Sequence, residues 1–236
     1  MEKPSKIREQ TMLRGRVTVS GYGDAGSELS RLVQRLEERH PRTHGHSRRV
    51  AAFSAAIATE LGLAPETVNR IHTAALLHDI GKISIPAAII DKPGSLSGDE
   101  YNEIKHHPEA GARMVEPLAD PELAAIVRHH HERFDGCGYP AALHGFEIPL
   151  GARIVAVADT LDALVSPRPY RLPTTKRRAL EMLREAAGSQ LDPTVVRVAL
   201  RLAEPPRRRR RRSRFVPQPD SAVEAGSTPP LRPLPG

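Results

Sequence analysis

Apolar residues recur every three or four positions over most of this chain, and this spacing predicts helices. The first helix is predicted from Ser27 to about Arg39. Further helices are predicted over residues 46–61, 65–79, 97–106, from 108 onward, and over 121–133, 150–165, 174–187 and 193–202. No stretch alternates apolar and polar residues for long enough to predict a strand. The pattern therefore predicts an all-α fold.

Composition supports a single helical domain with extensions at both ends. Aromatic residues make up 3% of the 236 positions and tryptophan is absent, so Ala, Leu, Val and Ile must form the core. Such a core favours helices over a sandwich or a barrel. We expect a flexible N-terminal segment over residues 1–26, one domain over 27–204, and a disordered Arg/Pro-rich tail over 205–236.

The positive charge of the chain is concentrated in its tail. The formal net charge is +7, but residues 205–236 hold eight arginines against two acidic residues. The predicted domain is therefore nearly neutral, which argues against a broad nucleic-acid-binding face on it. The arginine run favours a solvated tail, with weak, salt-sensitive binding to anionic polymers or membrane surfaces as the alternative.

The predicted location is the cytoplasm. Cys137 is the only cysteine, so an internal disulfide is impossible. The N-terminus lacks the apolar run of a signal peptide, and no apolar stretch is long enough to cross a bilayer.

Residues that bind metals are concentrated in the middle of the chain. Ten of the eleven histidines lie between His40 and His131, and the pair His78-Asp79 stands three residues before Lys82. Imidazole and carboxylate together suit Fe, Mn, Ni or Zn. Asp79 has two oxygens and can bridge two metals about 3.5–4 Å apart, an arrangement used for phosphodiester hydrolysis.

Helical geometry limits which of these side chains can converge. Adjacent helical residues point about 100° apart, so at most one of His106 and His107 faces a given site. The same limit allows two of the three histidines at 129–131. Asp159 lies on an apolar predicted helix, where a buried carboxylate needs a metal, an arginine or a helix N-terminus as partner. Lys82 either neutralises a bound phosphate or is a solvated residue beyond a helix end.

Taken together, these motifs resemble the HD-GYP family, a branch of the HD metal-dependent phosphohydrolases. The resemblance covers roughly residues 28–203. The matching stretches are HGHSRRV at 44–50, AALLHDIGKISIP at 74–86, KHHPEAG at 105–111, HHERFDGCGYP at 130–140, IPL at 148–150, RIVAVAD at 153–159, DAL at 162–164 and RPYR at 168–171.

The resemblance implies hydrolysis of cyclic di-GMP to pGpG, and often onward to GMP, by two divalent metals, with Fe or Mn expected. It implies that one metal takes His46, His78, Asp79 and Asp159. The other would take Asp79, His107, His130 and His131. Asp79 and Lys82 would be the catalytic residues. Lys82, Gly138, Tyr139, Pro140, Arg168 and Arg171 would border or contact the substrate.

Arg42 is a departure from the family pattern. Some members place a glutamate at this position and bind a third metal. The positively charged side chain of Arg42 cannot ligate a metal. A dinuclear site is therefore expected, and the first cleavage is more secure than complete hydrolysis to GMP.

Two alternatives remain at this point. One is a catalytically silent module that binds a cyclic dinucleotide or a protein, and the other is a phosphohydrolase of another nucleotide. Because about 26 residues precede the first predicted helix, any regulation is expected to come from a protein partner, from the tail, or from the supply of metal and substrate. The sequence does not define an oligomeric state.

Overall fold

The structure, a computed structural model, describes residues 23–39, 45–166 and 174–204. Its α-helices are α1 (Gly23–Arg39), α2 (His46–Glu60), α3 (Pro65–Leu77), α4 (Ala87–Ile90), α5 (Gly98–Lys105), α6 (His107–Val115), α7 (Pro121–His129), α8 (Leu150–Val165), α9 (Lys176–Ala186) and α10 (Pro193–Ala203). Short 3₁₀ helices cover Ile80–Ser84, Glu116–Leu118 and Gly145–Glu147.

The predicted all-α fold is confirmed. Within the described ranges no strand occurs, and only two isolated backbone bridges join residues, Asp135 with His144 and Ala187 with Leu191. The predicted flexible start covers residues 1–26, of which 1–22 lie outside the described ranges, as does the whole predicted tail at 205–236. Four residues assigned to the flexible start are helical, because α1 begins at Gly23 rather than Ser27.

The C-terminal end of α7 was predicted wrongly, and this boundary affects the site. The helix expected over residues 121–133 ends at His129, with His130 as its C-cap. The histidine triplet therefore straddles the end of α7 instead of lying on it. His131 leaves the helical path, so the 100° spacing between neighbouring helical residues no longer applies to it.

Helix starts follow the side chains available at each N-cap. Ser97 begins α5 with a reciprocal capping box, in which its hydroxyl accepts from the Glu100 backbone N–H and the Glu100 carboxylate accepts from the Ser97 N–H. Asp120 caps α7 and Asp192 caps α10. Each carboxylate accepts hydrogen bonding from backbone N–H groups in the first turn of its helix. These caps satisfy donors that a helix cannot satisfy internally.

The apolar core lies where α2, α3 and α8 pack together, with α7 and α10 closing it. Its largest fully buried side chains are aliphatic and include Ile57, Ile71, Leu77, Ile154 and Leu183. Burial of one such side chain contributes about 1.5–3 kcal/mol. A core built without large aromatic rings agrees with the composition.

Gly81 allows two parts of the site to approach closely. A Cβ atom at this position would lie 2.0 Å from the backbone oxygen of His107 and 2.6 Å from the backbone nitrogen of Gly111. Any larger residue would push the 3₁₀ turn away from α6. The glycine after His78-Asp79 therefore brings Asp79 next to His107.

A buried ion pair holds α8 to the start of α10, and we predict a large stability loss when it is broken. Arg153 donates to Asp192 at 2.5 Å, and the Asp192 side chain is 2% exposed. Replacing Asp192 with alanine leaves a charge largely buried without its partner and removes the cap of α10. The free energy of unfolding should fall by about 3–5 kcal/mol, as measured by urea denaturation.

Asp192→Asn separates these two effects, because it keeps a cap acceptor but loses the charge. Glu185→Ala, which removes an exposed partner of Arg178, is the matched control and should leave the unfolding midpoint nearly unchanged. An Asp192→Ala midpoint equal to that of the wild type would contradict the prediction.

None of the helices in the described ranges has the length and apolar character needed to cross a membrane.

Candidate metal centre

Two groups of ligand atoms converge in the middle of the helical domain and share Asp79. One group comprises Asp79, His107, His130 and His131, and the other comprises His46, His78 and Asp79. Within each group the ligand atoms lie within 4.8 Å of one another. Asp159 joins the second group, because its Oδ1 lies 3.3 Å from Nε2 of His46. All seven residues predicted as metal ligands are thus brought together.

The two oxygens of Asp79 face different groups. Oδ1 lies 3.4 Å from Nε2 of His107, and Oδ2 lies 3.5 Å from Nε2 of His78. The Asp79 side chain is 5% exposed, so its orientation is fixed by surrounding protein. This is the arrangement required of a carboxylate that bridges two ions.

Three of the histidines are held by backbone carbonyl groups. Nδ1 of His78 donates to Ala75 O, Nδ1 of His107 donates to Ile104 O, and Nδ1 of His130 donates to Val127 O, each at 2.7 Å. In every case the acceptor is three residues earlier, near the end of a helix. The Nδ1–H tautomer leaves a lone pair on Nε2, which is the form that ligates a metal.

The Nδ1–H tautomers of His107 and His130 show whether a metal fits between these two residues. Nε2 of His107 and Nε2 of His130 lie 3.3 Å apart in a fully buried position. With both Nδ1 atoms donating to carbonyls, two lone pairs face each other and repel unless a cation lies between them. The donor set therefore fits a divalent transition metal in the group of Asp79, His107, His130 and His131.

Burial keeps the imidazoles of His130 and His131 neutral. Burial lowers the pKa of His131 to about 3, with further lowering from His107. Burial, followed by the neighbouring histidines, holds the pKa of His130 well below its usual range. Neutral imidazole is the ligand form, so these rings need lose no proton when they bind a metal.

His46 and Asp159 form a more strongly charged corner. Burial lowers the His46 pKa, but hydrogen bonds to Asp159 and Asp162 outweigh it and raise the pKa to about 9. Burial raises the pKa of Asp159, yet the hydrogen bond with His46 and the electrostatic interaction with His78 hold it well below the usual range. The Asp159 side chain is 23% exposed, so it is less buried than its apolar helix predicted.

Asp159 is partly exposed because it lines a cleft. The cleft has a volume of about 320 Å³ and also touches the ligand histidines His130 and His131. The cleft is also lined by Thr160, Ala163 and Leu164 of α8 and by Gln190 and Leu191. A cleft that opens on the ligand atoms gives a substrate access to them.

Lys82 lies beside the bridging carboxylate. Its Nζ is 2.6 Å from Asp79 Oδ2, and its side chain is 24% exposed. Burial raises the pKa of Asp79, but Lys82 and the nearby histidines outweigh it and hold that pKa well below its usual range. Lys82 therefore lies beyond the end of α3, but its ammonium is paired with Asp79 and is not fully solvated.

Asp162 belongs to the site, although sequence reasoning gave it no role. Its Oδ2 lies 2.7 Å from Nδ1 of His46, and its Oδ1 accepts from Arg49 Nε at 2.6 Å. Such a carboxylate fixes the ring of a metal-ligating histidine and makes it more basic. The available signal was its position three residues after Asp159, on the same helical face.

Glu132 is the second residue that sequence reasoning missed. Its side chain is fully buried, and Oε1 accepts from the Ala141 backbone N–H at 2.7 Å. The loop of Gly138, Tyr139 and Pro140 is thereby held against the chain that follows His131. Gly138 permits this contact, since a Cβ there would lie 2.2 Å from the Arg133 nitrogen.

The Gly138–Pro140 loop reaches the site through Tyr139. The Tyr139 ring lies 5.0 Å from the His131 ring, measured between centroids, with the planes tilted by 31°. The peptide bond between Tyr139 and Pro140 is cis. Arg168 and Arg171, the other predicted substrate contacts, lie outside the described residues, as does Arg42.

Asp162→Asn should weaken metal binding at the His46 corner. Loss of the carboxylate that orients His46 is expected to reduce affinity there by about 10–100-fold. Isothermal titration of metal-free protein with Mn²⁺ would resolve the two sites, and Asp24→Asn is an exposed control. Filling of both sites with wild-type affinity would show that Asp162 does not support the ligand.

An all-helical domain with a central cluster of histidines and aspartates defines the class of HD-type domains. The sequence matches the HD domain family over residues 31–195. The chain belongs to this family, and its predicted place in the HD-GYP branch is confirmed.

Three known proteins indicate the range of its relatives. The chain is 44% identical to the cyclic di-GMP phosphodiesterase response regulator RpfG of Xanthomonas campestris pv. campestris, over 73% of this chain and 47% of that protein. It is 38% identical to the 3'3'-cGAMP-specific phosphodiesterase 3 of Vibrio cholerae, over 67% of this chain and 35% of that protein. An HDG"Y"P protein of Bdellovibrio bacteriovorus has a similar structure, with a TM-score of 0.56 and 25% identity over 66% of this chain and 51% of the other.

The chain spans about half the length of the first of these curated relatives and about a third of the second.

Proposed function

We propose that this chain is a metal-dependent phosphodiesterase that hydrolyses cyclic di-GMP to pGpG. The observation that carries the proposal is the pair of ligand groups that share Asp79 and lie beside Lys82. The 44% identity to a cyclic di-GMP phosphodiesterase supports the substrate class.

We infer that the site holds two divalent metals, in the grouping that the family resemblance implies. His46, His78, Asp79 and Asp159 would hold one of them. Asp79, His107, His130 and His131 would hold the other. When bound, such metals polarise a phosphate and lower the pKa of a water molecule. The ligand types suit Fe or Mn.

The residues around the ligands prepare the site for an anionic substrate. Lys82 places a fixed ammonium beside Asp79, where it can neutralise charge that develops on the phosphate. Glu132 fixes the Gly138–Pro140 loop that borders the ligand group. The cleft of about 320 Å³ beside Asp159 has room for a nucleoside attached to that phosphate.

The reaction is tested by product analysis on protein whose metal content has been measured. Protein loaded with Mn²⁺ or Fe²⁺ should convert cyclic di-GMP to pGpG, resolved by chromatography, and metal-free protein should not. Further conversion of pGpG to GMP would extend the proposal to both cleavages. Metal-loaded protein without product would overturn it and favour the silent binding module.

A second candidate substrate is another cyclic dinucleotide. The 38% identity to a 3'3'-cGAMP-specific phosphodiesterase favours this alternative. The ligand groups act on the phosphate and do not distinguish bases. Relative kcat/KM values for cyclic di-GMP, 3'3'-cGAMP and cyclic di-AMP would decide between the candidates.

The expected cytoplasmic location, the regulatory protein partner and the binding of anionic polymers by the arginine-rich tail stay predictions. Cell fractionation, affinity capture of partners and salt-dependent binding to anionic vesicles would test them in that order.

A further inference from the structure

Lys105, the last residue of α5, has its ammonium near two tyrosine rings. Its Nζ lies 4.6 Å from the Tyr101 ring centroid and 5.8 Å from the Tyr139 ring centroid. Lys82 and Lys92 each contact a carboxylate. In the described part of the chain, no carboxylate lies at ion-pair distance from Lys105. Its charge is therefore available to an acceptor from outside the protein.

This group of three side chains is connected to the metal centre. Tyr139 contacts Lys105 on one side and lies 5.0 Å from the His131 ring on the other. Burial, and then the charges of Tyr101, Asp79 and Asp159, raises the pKa of the Tyr139 phenol. Tyr139 thus links the ligand histidine His131 to Lys105.

The chemistry of the group matches a purine base. Tyr101 keeps 48% of its surface exposed, and exposed aromatic rings stack on bases of any type. A lysine ammonium distinguishes between bases. Guanine presents two acceptors, O6 and N7, on one edge, whereas adenine replaces O6 with the N6 amino donor, which repels a cation.

We propose that Tyr101, Lys105 and Tyr139 form a base subsite that selects guanine over adenine. This inference rests on the proposed function, because a cyclic dinucleotide phosphate at the metals would place one base toward α5. Tyr101 stacks on the base, and Lys105 donates to its O6 and N7 edge. Tyr139 positions the lysine beside the ligand His131.

Binding of GMP and AMP to the metal-loaded full chain, measured by isothermal titration calorimetry, tests the subsite without requiring turnover. The wild type should bind GMP about tenfold more tightly than AMP. Lys105→Met keeps the aliphatic stem but removes the charge, and should bring the two affinities within about twofold. Tyr101→Ala should weaken both nucleotides by about tenfold. Lys176→Met, at an exposed position, is the matched control and should keep the wild-type ratio.

Two results would overturn the subsite: equal affinity of the wild type for GMP and AMP, or an unchanged ratio in Lys105→Met. Circular dichroism checks that each variant is folded. If Lys105→Met is not folded, Lys105→Gln is used in its place. Cyclic di-GMP turnover is measured on the same samples. Guanine selectivity without turnover would contradict only the proposed hydrolysis, whereas turnover with an unchanged ratio would contradict only the subsite.

Discussion

Replacement of Asp79 with alanine is expected to abolish hydrolysis of cyclic di-GMP and to remove both metal ions. The reason is the position of the two carboxylate oxygens, which lie 3.4 Å from Nε2 of His107 and 3.5 Å from Nε2 of His78. No other described carboxylate lies in both ligand groups. The loss of turnover should be at least about 10³-fold.

Metal analysis separates this prediction from a general loss of structure. The wild type should retain two metal ions per chain after gel filtration, whereas Asp79→Ala should retain almost none. Asp79→Asn preserves the volume of the side chain but lacks its charge, so it should also lose the metals while keeping the thermal unfolding transition. Asp24→Ala, an exposed substitution in α1, is the control.

An Asp79→Ala protein with two bound metals and wild-type turnover would contradict the bridging role. A protein that keeps one metal would assign Asp79 to a single ligand group. The metal that remained, identified by a further His131→Ala or His46→Ala substitution, would show which group does not need this carboxylate.

Much of this site could be predicted because its residues are marked locally in the sequence. His78-Asp79, followed by Gly81 and Lys82, combines ligand chemistry with a turn, and the structure places that turn against α6. The limit of 100° between helical neighbours allowed one of His106 and His107, and His107 is the buried one. Helical periodicity likewise located α2 and α8 to within one residue.

The missed features depend on contacts between distant positions. Asp162 holds His46 from 116 residues away, and no local pattern records that pairing. Glu132 was visible beside the histidines, but its role depends on the fold of the loop up to Ala141. The early end of α7 has the same origin, because the chain after His130 follows that loop instead of continuing the helix.

Removal of the Lys82 charge is expected to slow hydrolysis without emptying the metal sites. Lys82 Nζ contacts Asp79 Oδ2 at 2.6 Å, and its partly exposed side chain places the ammonium at the surface of the site, where a phosphate would approach. Loss of one such preorganised charge typically lowers kcat by about 10²–10³-fold. Lys82→Met is the appropriate change, because it keeps an unbranched side chain of similar length.

The metal content of Lys82→Met distinguishes this role from that of Asp79. The variant should bind two metals and have a low kcat, since lysine is not a ligand and its loss removes only charge opposite the phosphate. Lys82→Arg should recover part of the rate, because the planar guanidinium restores the charge but not the compact geometry of an ammonium. Wild-type turnover in Lys82→Met would show that Lys82 serves only to neutralise Asp79. Loss of the metals would instead show that the lysine stabilises the ligand arrangement, and the arginine variant would then recover metal binding together with activity.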